Sequence, residues 1–101
     1  MPMTCKKENG RLVFVITGEV DHHGAKGLMG QANGEMERLV RGGVTVDLSG
    51  VTFMDSSGIA VLLRIHRSAG EMGGDVTVRG VPDQAMRVLR AAGLPKLMKF
   101  E

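Results

Sequence analysis

The chain has 101 residues, 43% hydrophobic and 24% charged, with 13 Lys plus Arg against 11 Asp plus Glu and a formal net charge of +2. That length holds one apolar core of ordinary domain size, so 1–101 reads as one domain with no room for a separate catalytic domain. The apolar share excludes a disordered chain, and the longest apolar runs, Leu12 to Ile16 and Ile59 to Leu63, fall far short of the roughly 18 residues a membrane span needs.

The basic residues scatter from Lys6 to Lys99 without a dense block, and three Phe with no Trp or Tyr give single-stranded bases little to stack on. Direct nucleic-acid binding is therefore not expected. Cys5 is the only cysteine, which excludes an intramolecular disulfide, and Met1-Pro2-Met3-Thr4 lacks the charged start of a signal region. The expected location is cytoplasmic, with no membrane partner.

Asn9-Gly10 is a hairpin signal between a short strand at Thr4 to Lys7 and a β-branched strand from Arg11 to Thr17 that ends at Gly18. Apolar residues then recur at Ala25, Leu28, Met29, Ala32, Met36, Leu39 and Val40, one face of a helix. The spacing predicts that helix over about His22 to Arg41, capped by Asp21 and stopped by Gly42-Gly43. Glycines at 24, 27, 30 and 34 each cost on the order of 1 kcal/mol against alanine, so its first half is expected to be loose or closely packed.

Val44 to Leu48 reads as a buried strand, Ser49-Gly50 as a turn, and Ile59 to about Ala69 as a helix stopped by Gly70. Gly73-Gly74 leads into a strand at Asp75 to Arg79. Pro82 and Asp83 open a helix to about Ala92, closed by Gly93 and Pro95, and Leu97 to Phe100 forms a last strand. Strands and helices alternate after the hairpin, which predicts an α/β fold with a mostly parallel sheet.

The chemistry concentrates in Phe53-Met-Asp-Ser-Ser-Gly58, at the entrance to the second helix. Ser56 is placed to be its N-cap and Ser57 its first turn, where unpaired N-H groups and the helix dipole favour an anion. A phosphate on Ser57 would add about −1.5 to −2 charge, enough to repel an acidic partner or spoil a close-packed interface. The same residues also serve as plain helix caps in many proteins. A nucleophilic serine has weaker support still, because the elbow needs Gly-x-Ser-x-Gly and Met54 stands two before Ser56, so a hydrolase is not expected. No catalytic residue is assigned, and the protein reads as no enzyme.

His22 and His23 with His66 or Cys5 make a poor metal set, since adjacent histidines converge on one ion with difficulty and no carboxylate or thiol spacing supports them. The eight methionines read as core filler. No resident metal or cofactor is expected.

Three segments together resemble the STAS-domain anti-sigma factor antagonists, the phosphorylatable partner-switching proteins of bacteria. Gly18-Glu-Val-Asp-His-His23 is similar to the family's first-loop motif, Asp47-Leu-Ser-Gly-Val-Thr-Phe-Met-Asp-Ser-Ser-Gly58 to its phosphorylation motif, and Ala92-Gly-Leu94 to its late helix end. The resemblance implies a mixed, mostly parallel sheet of four to five strands with helices mainly on one face. It implies phosphorylation at Ser57, with Asp21, His22, Asp55, Ser56, Ser57 and Gly58 meeting the partner, Ser56 as the flanking cap and Asp21 both as cap and as contact.

By the same resemblance, the unphosphorylated protein binds an anti-sigma factor that is also an ATP-dependent serine kinase, which frees a sigma factor. Phosphorylation ends the binding and a PP2C-type phosphatase restores it, while ATP and magnesium belong to the kinase. The alternatives are an anion- or nucleotide-sensing module at the Asp55 to Gly58 turn, and a scaffold module of a larger signalling complex. The chain ends at Glu101, where many relatives continue into a further helix, so an exposed edge or apolar groove is expected there, with the protein a monomer or weak homodimer.

Overall fold

The computed structural model describes residues 3–37 and 43–101. In chain order the elements are β1 (Met3–Glu8), β2 (Arg11–Val20), α1 (His22–Met36), β3 (Val44–Met54), α2 (Ser57–Glu71), β4 (Val76–Arg79), α3 (Asp83–Ala91), a 3-10 turn (Leu94–Lys96) and β5 (Lys99–Phe100). The five strands form one sheet in the order β1-β2-β3-β4-β5, with β1 antiparallel to β2 and every other pair parallel.

The β1-β2 hairpin closes on Asn9 and Gly10, both with positive φ, the geometry that twists with the strands it joins. Beyond it the pleat sorts the side chains. One row across the sheet runs Cys5, Phe14, Val46, Val78, Phe100, and these residues belong to or pack against the core. Onto this face the helices press their apolar stripes: Ala25, Leu28, Ala32 and Met36 from α1, Val61, Leu62, Ile65 and Ala69 from α2, Ala85 and Leu89 from α3. The helices therefore cover one face of the sheet, as the family resemblance implies.

The next row runs Lys6, Val13, Thr45, Thr77, Lys99 on the opposite face. Charged side chains cover it in place of a helix. Arg11 donates to the hydroxyls of Thr45 (3.1 Å) and Thr77 (3.3 Å), to the Val44 carbonyl (3.0 Å) and to Asp75 (3.0 Å). Arg79 donates to Asp47 at 3.2 Å and approaches Glu8 at 3.7 Å. This face is polar, and β5, the last strand, lies at the edge of the sheet.

The strands depart from the predicted bounds for local reasons. Ser49-Gly50 is no turn, because β3 runs through it to Met54. Its register on β2 slips between Val15 and Thr17 and again between Gly18 and Glu19, so β3 takes up one extra residue at each step. Gly50 sits opposite Thr17, and a Cβ there would stand 2.7 Å from the Thr17 methyl, so close strand approach calls for glycine at this position. Likewise Gly18, at φ 79°, bends β2 without ending it.

Among the helices, α2 begins at Ser57, the residue placed in its first turn, and runs to Glu71, past the predicted end at Ala69. α1 ends at Met36, and the predicted continuation through Leu39 and Val40 to Arg41 and Gly42 lies outside the described residues. A side chain at Gly27, Gly30 or Gly34 would meet open space, so close packing does not explain them. β4 begins at Val76 and β5 is limited to Lys99–Phe100.

Candidate functional site

Because β2 and β3 are parallel, their carboxyl ends open at the same edge, where crossover loops of α/β sheets gather functional groups. Val20 and Met54 form the last pair, and the Asp55 N-H donates to the Val20 carbonyl at 3.1 Å. α1 and α2 start immediately beyond, so two positive helix ends stand at one edge.

Each helix end is closed by an aspartate. Asp21 is the N-cap of α1 and accepts from the Gly24 N-H at 3.0 Å, as its position in the sequence predicts. At α2 the sequence expectation fails in its detail. Ser56 occupies the N-cap position, but it is helical (φ −61°, ψ −17°) and its hydroxyl makes no capping bond. Asp55 caps instead, accepting from the Ser57 N-H at 2.8 Å. A helical N-cap residue turns its hydroxyl away from the N2 and N3 amides, and the carboxylate one residue earlier reaches the terminus.

The Ser57 N-H bond is the main reason the Asp55 carboxyl is held below its usual range. Partial desolvation opposes it, while the Ser57 hydroxyl, the His22 amide and the His22 ring add to it in that order. Asp55 thus holds the first amide of α2 with its side chain and the end of β2 with its own N-H. The Gly58 N-H donates to the Asp55 carbonyl (3.0 Å) and the Ile59 N-H to the Ser56 carbonyl (3.1 Å), so the first three amides of α2 are all taken.

Ser57 and Asp55 are half-buried, Ser56 and His22 are exposed, and Asp21 is half-buried. Gly58 is buried against β3, and a Cβ there would overlap the fully buried Met54 side chain. The edge therefore brings together all six residues singled out in the sequence. The His22 and His23 rings meet edge to face, with centroids 6.2 Å apart. Among the described residues no three His, Cys, Asp or Glu side chains converge as a metal set.

Gln84 at the start of α3 belongs to the site and carries no signal in the sequence. Its amide oxygen accepts from the Met54 N-H (2.8 Å) and its nitrogen donates to the Met54 carbonyl (2.7 Å), which fixes the residue before Asp55. A groove of about 490 Å3 lies elsewhere, between the C-terminal halves of α1 and α2, lined by residues such as Met36, Arg64, Arg67 and Met72. No helix among the described residues is long and apolar enough to cross a membrane.

The family model described as "Mlab, STAS domain" matches residues 3–99. The chain is 32% identical over 89 residues, 88% of its length and 76% of the relative's, to an anti-sigma F factor antagonist of Paenibacillus polymyxa. It is 36% identical over 59 residues, 58% of its length and 61% of the relative's, to the intermembrane phospholipid transport system binding protein MlaB of Escherichia coli. The anti-sigma factor antagonist SpoIIAA in its unphosphorylated form superposes with a TM-score of 0.83 at 20% identity, covering 99% of this chain and 88% of that one, a likeness of fold. By family match, identity and architecture, this chain belongs to the STAS-domain family, in which its relatives include an anti-sigma factor antagonist.

Proposed function

We propose that the chain is an anti-sigma factor antagonist, cytoplasmic, that binds an anti-sigma factor with ATP-dependent serine kinase activity and is released when that kinase phosphorylates Ser57. A PP2C-type phosphatase resets it. The observation that carries the reading is Ser57 itself: half-exposed, on the first turn of α2, bonded through its amide to Asp55 at the edge shared with Asp21 and His22. The likeness to the Paenibacillus antagonist across most of both chains supports it. The non-covalent anion-sensing alternative has less support, because carboxylates already occupy both helix ends.

The charge change supplies the mechanism. A phosphoryl group adds about −1.5 to −2 charge at pH 7 on a surface that already carries Asp21 and Asp55. A partner surface matched to a neutral hydroxyl then meets a doubly charged group. Incubation with ATP, magnesium and lysate of the source organism, with peptide mass spectrometry and a Ser57→Ala control, tests this reading. Phosphate on Ser57 supports it. An unmodified Ser57 in a lysate active on related antagonists overturns it.

A second reading rests on the likeness to MlaB: a non-switching subunit of a larger complex. Stable association into large assemblies that is indifferent to Ser57→Glu, measured by light scattering, favours this reading over the switch.

A further inference from the structure

The peptide group between Met54 and Asp55 is held at both ends by residues distant in the chain. Its carbonyl accepts from the Gln84 side-chain nitrogen at 2.7 Å, and its N-H donates to the Val20 carbonyl at 3.1 Å. In a trans peptide these groups point in opposite directions, so this plane is stretched between the start of α3 and the end of β2. The Gln84 oxygen also accepts from the Met54 N-H at 2.8 Å, and only one orientation of the amide satisfies both of its bonds.

A plane fixed at two points sets the φ of Asp55, and with it the direction in which that side chain leaves the backbone. The carboxylate reaches the Ser57 N-H at 2.8 Å, and the Asp55 carbonyl accepts from the Gly58 N-H at 3.0 Å. Packing carries the same constraint, because the fully buried Met54 side chain fills the space against Gly58. We infer that Gln84 is a positioning residue of the Ser57 site: by pinning the Met54-Asp55 peptide it aims the Asp55 carboxylate at the Ser57 amide and fixes how the Ser57 hydroxyl is presented. Without it the plane is held only by Val20 and pivots about that bond. The effect on phosphorylation rests on the proposed kinase reading, whereas the effect on Asp55 and the Ser57 amide does not.

The test uses the full chain with Gln84→Met, which keeps the length and apolar stem of the side chain and removes both bonds. NMR reads the Ser57 amide proton at neutral pH and the Asp55 and Asp47 carboxyl carbons through an acid titration. The Ser57 amide is expected to move upfield and the Asp55 midpoint to rise toward the ordinary carboxylate range, since the bond between them is the main cause of its depression. Asp47, bonded by Ser49 and Arg79, is the internal control and is expected to keep its lowered midpoint. Parental values for Asp55 and the Ser57 amide overturn the inference. So does an equal rise of both aspartates, the mark of general loosening. Gln84→Asn, which keeps the amide but falls one methylene short, is the second variant; it is expected to shift both signals in the same direction, and parental values there also overturn the inference.

Initial rates of Ser57 phosphorylation, with ATP, magnesium and lysate of the source organism, are then compared over a range of protein concentrations. The maximal rate of Gln84→Met is expected to fall about tenfold, because misplacing a reacting atom by about 1 Å costs up to about a hundredfold, while the half-saturating concentration stays within about twofold. A maximal rate equal to the parent's overturns the inference. A parent chain left unmodified at Ser57 overturns the kinase reading instead, and the NMR measurement still decides the place of Gln84.

Discussion

Gln84 grips Met54 by both backbone groups, accepting from its N-H at 2.8 Å and donating to its carbonyl at 2.7 Å. β4 pairs with β3 only over Val44 to Asp47, so at Met54 a side-chain amide from α3 supplies the bonds a neighbouring strand would give. That contact ties the third helix to the residue preceding Asp55, and it anchors the loop from which the serines project.

Gln84→Ala removes two partly buried hydrogen bonds and leaves both Met54 groups to find water. A loss of about 1–3 kcal/mol is expected, at roughly 0.5–1.5 per bond. Urea denaturation of the variant measures it. A loss below about 0.5 kcal/mol, the range of an ordinary surface substitution, would show that the clamp contributes nothing.

Ser56 and Asp55 exchange the roles that residue type alone assigns them. Since the Ser56 hydroxyl makes no capping bond, Ser56→Ala is expected to change stability by no more than about 0.5 kcal/mol. Asp55→Ala is expected to lower the melting temperature clearly below both that variant and the parent, because it opens the start of α2. Thermal melts by circular dichroism compare the three, and the reverse order would restore Ser56 as the cap.

Ser57→Ala preserves a small neutral side chain, whereas Ser57→Glu brings a charge beside Asp55. Binding to the cognate anti-sigma factor, measured by calorimetry, is expected to survive the first change and to weaken at least tenfold, about 1.4 kcal/mol, with the second. Equal affinities would count against a charge switch.

Asp47 ties the open sheet face to acid stability. Burial pushes its carboxyl up, but bonds from the Ser49 hydroxyl and amide, with the Arg79 guanidinium, outweigh that and hold it below its usual value. A carboxylate lowered on folding contributes stability that is complete above its unfolded value, about pH 3.9, and is lost as pH falls through the folded one. Stability is therefore expected to decline below about pH 4, and the decline to be shallower in Asp47→Asn. Parallel acid profiles of the two proteins decide it by urea midpoint at each pH.

The sequence by itself determined the elements whose cause is local. Asn9-Gly10 dictates a tight hairpin because both residues accept positive φ, Asp21 caps because an aspartate precedes an apolar helical stripe, and alternation of strand and helix leads to a parallel sheet under helices. The segments Gly18 to His23 and Asp47 to Gly58 marked the family. Tertiary structure alone decided what depends on neighbours distant in the chain. Gly50 reads as a turn until Thr17 stands against it across the strands, Ser56 reads as a cap until its helical backbone aims the hydroxyl away, and Gln84 is an ordinary helical glutamine until Met54, 30 residues earlier, is placed beside it. Propensity and spacing encode only contacts within a turn or two of chain; pairing across a sheet or between a helix and a strand end is fixed by the packing of the whole core.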